Sequence, residues 1–224
     1  MLDAPTVAAE LTDHVERALG ESVFFRGLGE GKHSLDHLRR VFSQYYWWRN
    51  RFHRWFGVCI AKSEGFGTRA PIEFVLTELI EHIEQEITGN HHGLAQRFLQ
   101  RLGVTDFLSI RPVAVTSAYT DSFIERYACS DRTGEEALAA LAGREMVAPR
   151  RNRITIDALG QAYGIRDGLE FFSLHEELEE EHFKGLWEAV SRYVDHGLDR
   201  LVLAAKDEIS GHLRFWDDVS AALA

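Results

Sequence analysis

Apolar residues recur at helical spacing along nearly the whole chain, and this pattern constrains the fold more than any other feature. No stretch alternates apolar and polar residues as a half-buried strand would. Pro5, Pro71 and Pro112 each precede an apolar-periodic stretch, and Pro149 follows one, where we expect it to end the helix. The sequence predicts an all-α bundle of about seven to nine helices. We expect helices near residues 5–19, 34–62, 71–88, 92–102, 112–129, 134–147, 155–163, 167–195 and 197–222.

The composition fits a globular protein and excludes several classes of function. Hydrophobic residues make up 45% of the chain and charged residues 27%, which allows a sizeable core and argues against disorder. The formal net charge of -10 repels a phosphate backbone, so we expect no nucleic-acid partner.

Further features bear on location and domain count. The chain has neither a leader-like N-terminus nor a long uncharged apolar window, so we expect no membrane partner. Its cysteines, Cys59 and Cys129, lie far apart, which fits a reducing cytoplasm. Because no linker or repeat divides the sequence, we expect residues 1–224 to form a single domain.

One predicted helix carries ionisable residues on its apolar face. His175, Glu179 and His182 lie at i, i+4 and i+7 and share a stripe with Phe171 and Leu186. A buried carboxylate between two imidazoles is costly unless it is paired or bound to metal. Imidazole with carboxylate is a ligand set for iron, manganese or zinc. This stripe indicates a metal site, with a set of satisfied core side chains as the alternative.

Two further helices place carboxylates on inward faces. Glu84 and His91 are seven residues apart, so both fall on one apolar face if the helix continues through residues 89 and 90. We expect Glu86, in the same helix, to face outward. Glu145 continues a stripe of small apolar residues, where its alternative role is a salt bridge to a core arginine. Three carboxylates and three imidazoles are about the number of ligands that two divalent ions need.

The order of these residues resembles the haem-oxygenase-like di-iron oxidases and oxygenases, which share their fold with TenA- and PqqC-like proteins. The family pattern is Glu-x6-His on one helix, a single Glu on a second, and His-x3-Asp/Glu-x2-His on a third. The match covers about residues 35–195. The resemblance implies a haem-oxygenase-like bundle whose metal ligands are also its catalytic residues. These are Glu84, His91, Glu145, His175, Glu179 and His182.

The resemblance also implies the chemistry. Its cofactor would be two Fe(II) ions, or a manganese–iron pair, with O₂ as co-substrate. We expect O₂ to add between the ions and form a peroxo-di-iron intermediate that oxidises a small amine or amino-acid-like metabolite, in specialised-metabolite biosynthesis. Desaturation, C–C cleavage and N-oxygenation are the candidate reactions. Ile110 stands where N-oxygenating members often have an additional Glu, which favours the first two. Electrons would come from the substrate or from an external donor. The oligomeric state stays open, with a homodimer as one candidate.

An aromatic-rich segment, residues 38–60, bears on the substrate. Core packing explains most of its aromatic residues. Arg49 shares the inward face, and we expect it either to bind a substrate carboxylate or to pair with Glu145. The aromatic candidates for substrate binding are Tyr45, Trp48, Tyr119 and Phe123.

Two rival functions remain open at the level of sequence. One is a cofactor-free oxidase of the same fold, whose activity would persist without iron. The other is a metal-free interaction bundle, in which Arg49, Arg126 and Arg144 neutralise the inward carboxylates. The fold alone does not choose among these functions.

Overall fold

A computed structural model describes residues 4–63, 72–191 and 197–224, except for the side chains of residues 4, 5, 72, 73, 177, 179, 180 and 191. The described residues form ten α-helices and one π-helical turn and contain no strand, so the predicted all-α class is confirmed. The helices are α1 (Ala4–Glu21), α2 (Val23–Gly29), α3 (Leu35–Arg49), α4 (His53–Ala61), α5 (Ile72–Thr88), α6 (His91–Arg101), α7 (Ala114–Phe123), α8 (Gly134–Ala162), α9 (Glu170–Ser191) and α10 (Leu198–Ala222), with the π-helical turn at Ile124–Ala128.

Helix α8 is the central element of the bundle. It packs along α9 and α10 and also contacts α1, α2 and α4. Its N-terminus is closed by a capping box between Thr133 and Glu136, and the apolar residues 137–142 are buried. A Cβ atom on Gly143 would lie 2.7 Å from the carbonyl oxygen of Ala205. The backbones of α8 and α10 therefore approach as closely as they do because position 143 has no side chain.

The predicted helices differ from the observed ones in three places. Pro149 lies inside α8 and does not end it, so the two helices expected at 134–147 and 155–163 are one. The proline removes only the hydrogen bond to the Glu145 carbonyl, a loss that burial of α8 against α9 and α10 offsets. The helix expected at 34–62 is divided at residues 50–52 by a turn with i→i−3 hydrogen bonds. The short helix α2 was not predicted.

A buried polar network connects α7, α10 and the π-helical turn. The Tyr119 hydroxyl donates to Oε1 of Glu208 at 2.9 Å, and Nη1 of Arg126 donates to Oε2 at 3.3 Å. Burial raises the pKa of Glu208 to about 7, although the charge of Arg126 opposes that rise. None of the described helices combines the length and apolar character that crossing a membrane requires.

The raised pKa of Glu208 predicts a pH-dependent stability. A carboxyl group with a raised folded-state pKa contributes stability that is fully present below its unfolded pKa, near 4.5, and is lost as pH rises through about 7. Chemical denaturation gives the free energy of unfolding of wild type and of Glu208→Gln at each pH. Between pH 4.5 and 8, wild type should lose roughly 3 kcal/mol of stability relative to the variant. A difference that stays constant across this range would contradict the assignment.

Candidate metal centre

Two clusters of imidazole and carboxylate groups lie where α5, α6, α8 and α9 meet. The first contains Glu86, His91 and His175, and the second contains His82, Glu145 and His182. In each cluster, one potential ligand atom from every residue lies within 4.8 Å of the others. Each cluster thus offers two imidazoles and one carboxylate from different helices.

The second cluster is buried. The rings of His82 and His182 are stacked, with centroids 3.6 Å apart. Neither ring nitrogen of His82 has a hydrogen-bond partner within the described part of the chain. Nε2 of His182 lies 2.7 Å from Oε1 of Gln85. An unpartnered buried imidazole is unfavourable, and a metal ion would give it a partner.

The first cluster has a more complete set of hydrogen bonds. Nδ1 of His91 lies 2.8 Å from Oε2 of Glu86. The ring of His175 donates from Nδ1 to the Phe171 carbonyl at 2.6 Å. Because Nδ1 carries the proton, Nε2 of His175 presents its lone pair.

Glu86 connects the two clusters. Its Oε1 lies 3.8 Å from Nε2 of His175 in the first cluster and 3.9 Å from Nε2 of His82 in the second. The same oxygen forms an ion pair with Nη2 of Arg49. If each cluster held a metal ion, a carboxylate in this position would be available to both.

The electrostatics keep these groups in the forms that bind metal. Burial lowers the pKa of His82 to about 3 and that of His175 to about 4, so both rings are neutral near pH 7. Burial would raise the pKa of Glu86, but the charge of Arg49 and the hydrogen bond from His91 hold it well below its usual value. Neutral imidazoles and an ionised carboxylate need lose no proton before they coordinate.

The donor set and its spacing fit a metal ion at each cluster. Two histidines and one carboxylate with further positions open are the ligand set of non-haem Fe(II) sites. Donor atoms about 2.1 Å from one ion are at most about 4.2 Å apart, so donors within 4.8 Å need only a small contraction. The residues present therefore fit two such ions.

The structure brings together four of the six sequence-predicted ligands, namely His91, Glu145, His175 and His182. The side chain of Glu179 lies outside the described residues, so its role stays a prediction.

Glu84 is exposed and belongs to neither cluster, so its predicted inward orientation is wrong. The physical reason is a break in the helix. Helix α5 ends at Thr88, and Asn90 has a left-handed φ of 53°, so the seven-residue spacing from Glu84 to His91 does not run along one continuous helix. His91 instead begins α6.

The sequence interpretation missed His82 and Glu86. With Val75 and Leu79 they form an alternative stripe at i, i+4, i+7 and i+11, which is the side of α5 that faces the bundle. Ile80 and Ile87, which had indicated the other face, are 55% and 73% exposed. The stripe that contains His82 and Glu86 was therefore visible in the sequence, but it was no more apolar than the stripe with Ile80 and Ile87.

A pocket of about 380 Å³ lies beside the first cluster and is bordered by Arg49, Glu86 and His91. Phe52, Phe56, Ile83, Ala95 and Phe171 form its apolar lining, and Asn50, His53, Asn90 and His92 supply polar groups. The four aromatic candidates do not line it. Tyr45 stacks on Trp216 and Phe123 stacks on Trp55 in the core. Trp48 also lies in the core, and the partly buried Tyr119 packs against it.

A second pocket, of about 320 Å³, borders His82 and His182 of the second cluster. The carboxylate side chains of Glu78, Glu81 and Glu181 also line it. A cation that approaches this cluster from solvent would meet negative charge.

Comparison of the sequence with known families decides the family. A family model described as an iron-containing redox enzyme matches residues 39–206. The chain belongs to this family. All residues of both clusters lie inside the matched range, which agrees with iron as the metal of this iron-containing redox enzyme family. No curated protein matches the chain in sequence.

Solved structures show the fold. A domain of unknown function with a heme oxygenase-like fold from Shewanella denitrificans superposes with a TM-score of 0.79 at 15% identity, covering 99% of this chain and 94% of that one. A CADD-like protein of unknown function from Nostoc punctiforme superposes with a TM-score of 0.75 at 21% identity, covering 96% of this chain and 97% of that one. A TenA homologue from P. horikoshii superposes with a TM-score of 0.71 at 20% identity, covering 96% of this chain and 98% of that one. The expected haem-oxygenase-like bundle is confirmed.

Proposed function

We propose that the protein is a non-haem di-iron enzyme that uses O₂ to oxidise a small amine or amino-acid-like metabolite. The observation that carries the proposal is the position of Glu86, which belongs to the first cluster and also lies 3.9 Å from His82 of the second. Family membership supports an iron-containing redox enzyme, and the paired clusters favour two ions over one.

The residues of the chain would act as ligands and would orient one another. Glu86, His91 and His175 would hold one ion, and His82, Glu145 and His182 the other. The Phe171 carbonyl fixes the ring of His175 by accepting its Nδ1–H. When bound, the two ions would supply the activation of O₂ and the acceptance of electrons from the substrate or an external donor.

The pocket beside the first cluster suits a small amphipathic substrate. Its volume of about 380 Å³ falls in the usual range for small-molecule sites, roughly 300–1,000 Å³. The apolar lining would exclude water around the carbon skeleton. The exposed side chains of His53, Asn90 and His92 could hydrogen-bond a polar head group at the rim. Desaturation, C–C cleavage and N-oxygenation of such a molecule all remain within the proposal.

A metal-free interaction bundle is the second candidate. The ion pairs Arg49–Glu86 and Arg126–Glu208 favour it, because each matches a cation to a buried or nearly buried carboxylate. It predicts normal folding and stability after chelation.

An anaerobic titration with Fe(II) tests the proposal. About two irons bound per chain, followed by a transient visible absorption on mixing with O₂, is the expected result. An intact fold that binds no specific iron would overturn the di-iron proposal and favour the metal-free bundle. Oxidation that persists in iron-free protein would favour a cofactor-free oxidase.

His182→Ala is expected to reduce bound iron from about two ions to about one and to lower turnover with it, because the second cluster loses one of its described ligands. His37→Ala is the matched control, since His37 contacts Ser220 and belongs to neither cluster. Metal analysis per chain and O₂ consumption provide the measurement. Full activity in His182→Ala would refute the assignment of this ligand.

A further inference from the structure

Arg49 occupies the place where the first cluster and its pocket meet. Its guanidinium forms an ion pair with Oε1 of Glu86, and Nη2 lies 3.2 Å from Nε2 of His175. The side chain is 11% exposed and borders the pocket of about 380 Å³. Arg49 thus contacts two of the three residues that fit a metal ion at this cluster.

Arg49 and a metal ion would compete for one lone pair. The Nδ1–H of His175 donates to the Phe171 carbonyl, so the ring's remaining lone pair is on Nε2. That lone pair accepts the hydrogen bond from Arg49. Because a single lone pair cannot serve both an N–H donor and a metal ion, coordination by Nε2 requires Arg49 to leave His175.

Charge gives a second reason for competition. Without metal, the guanidinium neutralises the ionised carboxylate of Glu86. A divalent cation at the first cluster would take over that role and would repel the guanidinium at close range. Arg49 therefore acts as a stand-in cation for the metal.

We propose that metal binding displaces Arg49 from Glu86 and His175 into the adjoining pocket, where its guanidinium binds the carboxylate of the substrate. This inference rests on the proposed di-iron function and names an amino-acid-like carboxylate as the substrate's anchoring group. A guanidinium stays charged and offers a planar pair of donors that matches a carboxylate. The apolar lining of the pocket strengthens such a charge pair by keeping water away.

The exchange makes the two binding events cooperative and sets their order. Metal binds first, because it frees the group that holds the anion. The coupling is reciprocal, so an anion in the pocket also tightens metal binding.

Titration of the metal-free protein with Co(II) tests the exchange, with visible absorption reporting coordination. Arg49→Met removes the competing cation and should bind the first Co(II) at least about fivefold more tightly than wild type. Arg49→Lys keeps the charge and should remain close to wild type. Arg54→Met is the matched control, because Arg54 lies on the surface, pairs with Asp121 and should leave Co(II) affinity unchanged.

Thermal unfolding gives a second readout in case Arg49→Met folds poorly without metal. Because Co(II) would replace the missing positive charge, it should raise the midpoint of Arg49→Met more than that of wild type. If Arg49→Met binds Co(II) more weakly and is stabilised less, Arg49 supports the metal site and the exchange is wrong.

Calorimetry with hexanoate and hexylamine tests the anion site. Hexanoate should bind Co(II)-loaded wild type at least about tenfold more tightly than the metal-free protein, within the usual range of coupling between sites. Hexylamine should show no such gain, and Arg49→Met should abolish the gain for hexanoate. Equal binding of hexanoate to loaded and metal-free protein would overturn the proposal.

The outcomes distinguish failure of the Arg49 exchange from failure of the proposed di-iron function. If wild type binds neither Co(II) nor Fe(II), both fail. If wild type binds two ions but Arg49→Met binds them more weakly, the di-iron proposal stands and the exchange fails.

Discussion

Glu86→Gln is expected to remove at least one of the two bound ions and to lower O₂-dependent turnover by more than about a hundredfold. Loss of a group that merely orients a ligand typically costs about 10- to 100-fold, and Glu86 would itself be a ligand between both clusters. A neutral amide also cannot balance the charge of a divalent ion. Metal analysis and O₂ consumption measure the two effects.

Glu84→Gln is the matched control for Glu86→Gln. It makes the same change of charge two residues away on α5, but Glu84 is exposed and belongs to neither cluster. We expect metal content and turnover equal to wild type. Loss of iron in Glu84→Gln, with retention in Glu86→Gln, would show that the bundle uses the face of α5 that the sequence interpretation chose.

The stability of Glu86→Gln must be measured together with its metal content and turnover. Glu86→Gln leaves Arg49 opposite an uncharged group, and breaking a buried ion pair by removing one partner can cost about 3–5 kcal/mol. Glu86→Asp retains the charge but shortens the reach of the carboxylate. It should stay folded and still bind less iron than wild type, which distinguishes loss of ligation from loss of fold.

Gly143→Ala is expected to destabilise the protein by roughly 2–3 kcal/mol. The new Cβ would lie 2.7 Å from the carbonyl oxygen and 2.8 Å from the Cα of Ala205, which are backbone atoms that cannot rotate away. Helices α8 and α10 would have to separate. Because Glu145 lies two residues further along α8, the same shift should weaken metal binding at the second cluster.

Gly211→Ala provides the comparison. Gly211 lies inside α10, and its added Cβ would meet nothing within 4 Å. Removing a helix-interior glycine there should stabilise the protein by up to about 1 kcal/mol. Denaturant unfolding with equal m-values would measure both variants. Equal stabilities for the two would mean that the close approach of α8 and α10 is not required.

Much of the centre follows from local pattern. The periodicity of apolar residues predicts an all-α chain, because a helix places every third or fourth side chain on one face. His175 and His182 share an apolar stripe of α9, and Glu145 continues an apolar stripe of α8, so their burial could be inferred from the pattern within each helix. Glu145 keeps its place although Pro149 was expected to end its helix soon afterwards.

Helix α5 shows where local pattern is insufficient. It carries two apolar stripes, one with Ile80 and Ile87 and the other with Val75 and Leu79. Periodicity alone allows either stripe to be the buried one. Packing of α5 against α4, α6 and α9 buries the stripe with Val75 and Leu79. That choice brings His82 and Glu86 into the centre and leaves Glu84 in solvent.

The class of fold and three metal-ligand candidates, Glu145, His175 and His182, are thus properties of sequence, because each depends on spacing within one helix. The spacing that indicated His91 is interrupted by the break at Asn90. The rotation of α5, the continuation of α8 through Pro149 and the pairing of Arg49 with Glu86 depend on contacts between helices. Such contacts join residues far apart in the chain, and their energies are set by burial and charge in the assembled bundle. No local spacing encodes them.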